Sequence, residues 1–239
     1  MSLLELDGVV KRYRSGDLER VVLRDVSLNL QAGELTVVFG LRGSGRSTLL
    51  RVAAGIESPD EGVVRFDGRD LGSDADAVLG EGIGFCQRSP FSHGSRSTLE
   101  LVIVALLARG VPGARARLTA SRALERAGVA HASSTPVAGL DTDEAMRVAI
   151  ARVLALEPRV VVIDDPIQGV DLLQRDSLLG LLRSLADEGV AVLVSSGEST
   201  ALSGADQTLS LSDGELRGPP PSELAPVLPL RRAARRAGA

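Results

Sequence analysis

Short apolar runs separated by polar turns recur along the chain and predict a set of buried strands. Residues 2–10 and 21–30 alternate or cluster apolar side chains, which predicts two antiparallel strands. Apolar runs at 35–39, interrupted by a single threonine, and at 160–163 are typical of strands that are buried on both faces. The first of these runs leads into a glycine-rich loop, and the second ends at a pair of aspartates. In both cases, candidate functional residues follow directly after the end of a predicted buried strand.

The rest of the pattern divides into further strands and a helical stretch. The other strands are predicted at 62–68, 83–87, 190–194, 207–211 and 215–216, the last two as a hairpin. Residues 48–54 are predicted to form a helix whose N-terminus faces the glycine-rich loop. From 88 to 158 apolar residues recur at helical spacing, with loops at 109–113 and 130–136.

This order of elements predicts an α/β fold with an antiparallel β subdomain and an inserted helical subdomain. The core is expected to comprise residues 1–87 and 159–217, and the helical subdomain residues 88–158. Residues 218–239 form a tail rich in proline and arginine, and this composition predicts disorder.

Composition excludes several classes of protein. A chain of 239 residues with 44% apolar side chains can bury a sizeable core. No apolar run reaches the roughly 18–20 residues of a membrane span, and Glu5, Asp7 and Lys11 interrupt any signal-peptide core. The single Cys86 excludes an internal disulfide and is consistent with a cytosolic chain. A net charge of −4 does not favour nucleic-acid binding, so no nucleic-acid partner is expected.

The glycine-rich loop at 40–48 reads GLRGSGRST and matches the phosphate-binding pattern G-x-x-x-x-G-K-[ST] at every position except one. Glycines let backbone N–H groups turn toward phosphate oxygens, and a hydroxyl can hold Mg²⁺. Arg46 stands where the pattern has lysine. Since Lys11 is the only lysine of the chain, general replacement of lysine by arginine is an alternative explanation for Arg46. The candidate nucleotide-binding residues of the loop are Gly40, Gly43, Ser44, Gly45, Arg46, Ser47 and Thr48.

Other motifs stand at characteristic distances from this loop. They are Tyr13 before the second strand, Gln87 at the end of a strand, the run RVAIAR at 147–152, Asp164, Pro166 and Asp171. Together with the loop, this set resembles the nucleotide-binding subunit of ABC transporters over roughly residues 3–217. Residues 13–28 are also similar to the lipoprotein-releasing, macrolide-exporting and cell-division members. The resemblance implies a P-loop NTPase core of the ABC type, which is RecA-like.

The resemblance also implies roles for individual residues, with ATP and Mg²⁺ as the cofactors. Tyr13 matches the aromatic residue that stacks on adenine. Ser47 and Asp164 match the residues that hold Mg²⁺. Gln87 matches the glutamine that senses the metal and links to a transmembrane partner, and Asp171 matches the loop that contacts a second subunit.

Three catalytic positions depart from the family pattern. Arg46 is longer and forked, so it is not equivalent to lysine at a tight phosphate site. Asp165 replaces the glutamate that polarises the attacking water, and its carboxylate is retracted by roughly 1.5 Å. A displacement of this size predicts a loss of about 10²–10⁴ in rate. Ser196 stands in the position of the switch histidine and cannot carry an imidazolium charge.

The signature motif departs as well. Family members have L-S-G-G-[QE] where residues 140–144 read LDTDE. A carboxylate from Asp141 or Asp143 about 4 Å from a phosphate would cost on the order of 4 kcal/mol at an effective dielectric of about 20. A structural alternative is favoured, in which Asp141 and Glu144 form a capping box. The helix would then satisfy its own N-terminal amides without a phosphate.

These departures together indicate a subunit that binds ATP with weak or no hydrolysis. A homodimer would contain no intact site, so the expected partners are a transmembrane permease and a second, competent ABC ATPase subunit. The expected location is the cytoplasmic face of the cell membrane, reached through the membrane partner. Two alternatives stay open: an active ABC ATPase with Asp165 as the base, and a nucleotide-gated regulator of a membrane protein that does not transport.

Overall fold

The computed structural model describes residues 2–16, 18–72, 82–87, 95–198 and 204–219. Within these ranges the chain forms ten β-strands and five α-helices, which confirms the predicted α/β class. None of the helices in this part of the chain has the length and apolarity needed to cross a membrane. Most of the predicted tail, from residue 220 to 239, lies outside the described residues, as do residues 88–94 of the predicted helical subdomain.

The N-terminal strands form an antiparallel sheet of four strands in the order β2-β1-β4-β5. Its strands are β1 (Leu4–Ser15), β2 (Leu18–Leu30), β4 (Glu61–Phe66) and β5 (Arg69–Asp70). The predicted pairing of the first two strands is confirmed, with Leu4 opposite Leu30. Both strands extend beyond the predicted ranges, because their distal ends pair with each other through mainly polar side chains that give no apolar signal.

The second sheet has six strands in the order β10-β9-β3-β8-β7-β6. Its strands are β3 (Leu35–Phe39), β6 (Ile83–Cys86), β7 (Val160–Ile163), β8 (Ala191–Ser196), β9 (Gln207–Ser212) and β10 (Glu215–Arg217). All neighbouring pairs are parallel except the terminal hairpin of β9 and β10. Because parallel strands end at the same edge of a sheet, the residues that follow β3, β6, β7 and β8 lie together.

The helices are α1 (Arg46–Ala53), α2 (Thr98–Leu107), α3 (Gly113–Arg126), α4 (Thr142–Leu154) and α5 (Leu172–Asp187). The expected start of α1 at residue 48 was wrong: the helix begins at Arg46, directly after Gly45. The expected loop at 130–136 contains a short 3₁₀ helix, Ala130–Ala132, and the expected loop at 109–113 ends one residue early, at the start of α3.

Helix α5 was not assigned from the apolar pattern. Its first two residues, Leu172 and Leu173, are exposed, so apolar side chains at this end do not follow a single face. The sequence does contain a signal for this helix. Leu178, Leu182 and Leu185 recur at helical spacing and are buried, and Asp171 stands at the N-cap position.

Two apolar cores hold the edge of the parallel sheet in place. Helix α1 lies between the two sheets, where Leu49 and Leu50 are fully buried in one cluster with Leu4 and Leu23. On the other face of the parallel sheet, residues of α2 to α5 form the second cluster. Burial of a leucine side chain contributes about 1.5–3 kcal/mol, so α1 is anchored along its length. The N-terminus of α1 is thereby fixed at the carboxyl edge of the parallel sheet.

The reactivity of Cys86 reports how well the second core excludes solvent and reagents. Its side chain is fully buried at the end of β6, and burial raises the pKa of its thiol from 9.0 to about 12. We expect the folded chain to resist a thiol reagent at pH 8, since burial both shields the sulfur and disfavours the reactive thiolate. The same reagent should label one thiol per chain in urea. Labelling of the folded chain at the rate of free cysteine would contradict this burial.

Candidate functional site

The glycine-rich loop and α1 form a cradle of backbone amides. Gly45 occupies the N-cap of α1 with a left-handed φ of 107°, and no side chain caps the helix. A Cβ on Gly40 would lie 2.5 Å from Ser44 Oγ and 2.7 Å from the Leu211 carbonyl oxygen, so a larger residue does not fit. The uncapped N–H groups at the start of α1 are available to an anion, and the helix dipole favours negative charge there.

A cavity of about 370 Å³ lies beside this cradle. Its lining includes Tyr13 and Val22 together with loop residues 41–43 and 45–48. The Tyr13 hydroxyl donates to Glu57 and lies 3.4 Å from Thr48 Oγ1, while the Lys11 ammonium lies 5.8 Å from the ring centroid. The ring is therefore fixed at the mouth of a cavity whose size suits a small organic ligand.

Ser47 and Asp164, the two candidate Mg²⁺ residues, lie in direct contact. Ser47 Oγ donates to Asp164 Oδ2 at 2.7 Å, which joins the start of α1 to the end of β7. Ser195 was not predicted, yet it binds the other carboxylate oxygen, Oδ1, at 2.7 Å. Ser195 is fully buried, and the signal that could have identified it is a pair of serines at the end of an otherwise apolar strand.

Arg46 and Asp165 form a buried ion pair. Arg46 Nη1 lies 3.4 Å from Asp165 Oδ2, and the two side chains are 6% and 7% exposed. Asp165 adopts a left-handed φ of 51°, a conformation that is costly for a residue with a Cβ. Its backbone N–H donates to Ser195 Oγ at 3.0 Å, which supports this conformation. The site thus directs the carboxylate of Asp165 at the guanidinium of its own phosphate loop.

Ser196 is engaged in a local turn. Its hydroxyl donates to the Glu198 carbonyl oxygen and accepts from the Glu198 N–H, both at 3.1 Å. The side chain is fully buried at the end of β8, where its carbonyl oxygen also accepts from Gly40 N–H at 3.1 Å. In this conformation the Ser196 hydroxyl stabilises the turn that follows β8.

Gln87 lies at the carboxyl edge of the parallel sheet, and Asp171 lies at the start of α5. Cys86 pairs with Ile163 in register, and its carbonyl oxygen accepts from Asp164 N–H at 2.9 Å. Gln87 directly follows Cys86, so it lies at the same sheet edge as Asp164 and is exposed there. Asp171 caps α5 by accepting from Leu173 N–H at 2.9 Å.

The N-terminus of α4 caps itself. Asp141 Oδ1 accepts from Glu144 N–H at 2.8 Å, and Glu144 Oε2 accepts from Asp141 N–H at 3.1 Å. The favoured interpretation of this segment as a capping box is therefore confirmed. His131 contacts the second oxygen of Glu144 through Nε2 at 2.9 Å.

A buried ion pair lies one turn into the same helix. Asp143 Oδ2 accepts from Arg147 Nε at 2.6 Å, and both side chains are 9% exposed. Arg147 also donates to the Ala127 carbonyl oxygen and to Ser177 Oγ, each at 3.1 Å. Within the described residues, the buried Asp143 Oδ1 has no hydrogen-bond partner. The carboxylate therefore depends on Arg147 for its compensation.

Comparison with known proteins gives a consistent result. A family model described as ABC transporter matches residues 23–168. The Lipoprotein-releasing system ATP-binding protein LolD of Gluconobacter oxydans is 33% identical over 220 residues, covering 90% of this chain and 95% of that protein. LolD of Maricaulis maris is 36% identical, covering 90% and 96%. The Macrolide export ATP-binding/permease protein MacB of Nitrobacter winogradskyi is 32% identical over 93% of this chain. The chain spans only 36% of that longer protein.

Solved structures show the same fold. The dimeric structure of MJ0796, a bacterial ABC transporter cassette, matches with a TM-score of 0.82 at 27% identity, covering 89% of this chain and 96% of that one. A dimeric post-hydrolysis state of the same cassette, bound to ADP and Pi, matches with a TM-score of 0.82 at 26% identity, covering 91% and 99%. The P-loop NTPase fold expected from the sequence is confirmed. The chain therefore belongs to the ABC transporter family, in which it is an ATP-binding cassette.

Proposed function

We propose that the chain is the ATP-binding subunit of an ABC transport complex and that it hydrolyses ATP weakly or not at all. The observation that carries the proposal is the contrast between two halves of the site. Tyr13, the amide cradle and the Ser47–Asp164 contact are arranged to receive a nucleotide. Arg46 and Asp165, at the catalytic end, are instead paired with each other.

The donor set beside the cradle fits Mg²⁺. Ser47 Oγ and the Asp164 carboxylate are hard oxygen ligands within 2.7 Å of each other, and Mg²⁺ prefers such ligands together with phosphate oxygens. When bound, the ion would supply positive charge to the phosphates. Ser195 holds the second oxygen of Asp164 and thereby orients the carboxylate.

Weak hydrolysis follows from three positions. Asp165 accepts from Arg46, so its carboxylate is compensated by the protein and is a poor base for a water molecule. Ser196 donates its hydroxyl to Glu198. The N-terminus of α4, which would have to approach the nucleotide of a second subunit, carries Asp141 and Asp143. None of the three supplies a positive or neutral donor to a terminal phosphate.

The partners follow from the family and from the damaged site. A transmembrane permease would dock around exposed Gln87 and the predicted helical subdomain 88–158, and the chain would then lie on the cytoplasmic face of the membrane. MacB is named as an ATP-binding and permease protein in one chain, and a further structural relative, cbiO1 of Clostridium perfringens, is described as part of the cbiONQ transporter complex. A second, competent ABC ATPase subunit would supply the groups that this chain lacks.

Nucleotide binding is tested by removing one hydroxyl. We expect Ser47→Ala to weaken binding of a fluorescent ATP analogue in Mg²⁺ by about tenfold, because a hydrogen bond or ligand to a charged group is worth about 1.5–3 kcal/mol. Fluorescence anisotropy of the purified chain measures this. Ser134→Ala, an exposed serine outside the site, is the matched control and should bind as the unaltered chain does.

Phosphate release tests the second half of the proposal. The purified chain should release phosphate from Mg-ATP at background rate. Rapid Mg²⁺-dependent release that Asp165→Asn abolishes would contradict weak hydrolysis and support the alternative of an active ATPase with Asp165 as base. No detectable binding of the analogue at millimolar concentration would contradict the proposal as a whole.

A further inference from the structure

Arg46 separates two cavities at the carboxyl edge of the parallel sheet. On one side lies the cavity of about 370 Å³ that contains Tyr13, Ser47 and the amide cradle. On the other side lies a second cavity of about 350 Å³. The second cavity is lined by Leu41, Arg42, Arg46, Asp165, Gln168, Gly197 and Glu198. Leu41, Arg42 and Arg46 are common to both linings, and Arg46 is the buried one of the three, so its side chain forms the inner boundary between the cavities.

The position of this boundary is fixed by three contacts. The side-chain stem passes over Gly40, where a Cβ would lie 3.3 Å from Arg46 Cδ. The guanidinium lies against Gly197, where a Cβ would be 3.4 Å from Nη2 and 3.6 Å from Nη1. Asp165 then holds Nη1 at 3.4 Å. Since both glycines lack a side chain, the arginine can lie between the ends of β3 and β8.

The boundary limits the favourable contacts that are available to the third phosphate of a nucleoside triphosphate. The groups that would receive two phosphates, namely the loop amides, the start of α1 and Ser47, all line the first cavity. The basic residue of such a loop is the group that reaches toward the terminal phosphate. Here its charge is already compensated by Asp165 in a buried pair. A terminal phosphate must therefore compete with Asp165 for the guanidinium, and the displaced carboxylate would repel it.

We infer that the Arg46–Asp165 pair makes this site a nucleoside diphosphate site, at which the diphosphate binds at least as tightly as the triphosphate. The inference rests on the proposed nucleotide binding. It goes further in specifying that the site favours a nucleotide with two phosphates over one with three. Asp165 acts here as a specificity-determining residue. It withholds from the terminal phosphate the charge that Arg46 would otherwise provide.

The test compares a fluorescent ADP with a fluorescent, non-hydrolysable ATP analogue, both with Mg²⁺, on the purified chain. The ratio of the triphosphate Kd to the diphosphate Kd should be one or greater. In Asp165→Asn the guanidinium is released, so the triphosphate should bind about tenfold more tightly while the diphosphate Kd stays nearly constant. Asp176→Asn, the same change at an exposed position in α5, should leave the ratio unaltered.

The outcomes separate this inference from the proposed function. Absence of binding for both nucleotides would overturn the proposed function. Binding of the triphosphate at least tenfold more tightly than the diphosphate by the unaltered chain would overturn this inference alone. So would an unchanged ratio in a folded Asp165→Asn variant. The ratio in the unaltered chain keeps the inference testable if that variant does not fold.

Discussion

Replacing Asp165 with glutamate leaves ATP turnover at the level of the unaltered chain. One more C–C bond gives the carboxylate roughly 1.5 Å of extra reach, which is more than the 3.4 Å separation of Asp165 Oδ2 and Arg46 Nη1 requires for a close contact. The glutamate side chain would therefore bend to stay paired with Arg46, and its carboxylate would not be free to polarise a water molecule. The glutamate that is expected in an active site thus has no catalytic effect while Arg46 remains its partner.

Turnover should return only when the other departures are reversed with it. Arg46→Lys replaces the forked guanidinium with the ammonium of the family pattern, Ser196→His restores a switch residue, and the changes at 141–143 restore the family's serine and glycines. Reversing all of these together is expected to raise the rate by about 10²–10⁴, the contribution of a positioned general base and its companions.

The measurement is steady-state phosphate release from Mg-ATP for Asp165→Glu alone and for the combined variant, with circular dichroism to show that both are folded. Glu198→Asp, which shortens a carboxylate in the same cavity, is the control and should have no effect. Rates typical of active cassettes from Asp165→Glu alone would refute the argument that Arg46 blocks the base.

The largest loss of stability is expected from Arg147→Ala. This change leaves the Asp143 carboxylate buried in α4, with one oxygen deprived of its donor and the other already lacking one among the described residues. Breaking a buried ion pair from one side costs about 3–5 kcal/mol. For a chain of this size each kcal/mol lowers the melting temperature by about 2–4 °C.

Urea denaturation followed by circular dichroism measures this loss. Arg217→Ala provides the matched control, because its pair with Glu215 is exposed, with side chains 71% and 51% accessible, and solvent screening leaves such a pair with little effect on stability. The double change Asp143→Ala with Arg147→Met should recover much of the stability, since it removes both charges together. Equal losses for the two arginines would show that burial of the α4 pair has no energetic consequence.

Local patterns predicted the strands and the phosphate loop because each is specified by neighbouring residues. The run 35–39 is wholly apolar apart from one threonine and became β3 with the predicted bounds. The capping box of α4 was predictable for the same reason, since Asp141 and Glu144 stand three positions apart.

The ion pair at the catalytic end could not be predicted in this way. Arg46 and Asp165 are 119 positions apart, and each was interpreted as a separate loss of function. Their contact depends on how β3, β7 and β8 are ordered in the sheet and on the small volume of Gly197. Ser195 was missed for a related reason, because only the three-dimensional structure shows that it joins Asp164 to the backbone of Asp165.

The self-capped start of α4 has a consequence for how the two ends of the site affect each other. A helix that supplies its own terminal hydrogen bonds keeps the same conformation whether or not a nucleotide on another subunit faces it. We therefore expect substitutions in the phosphate loop to leave the conformation of this segment unchanged, and substitutions that keep the capping box to leave the loop unchanged.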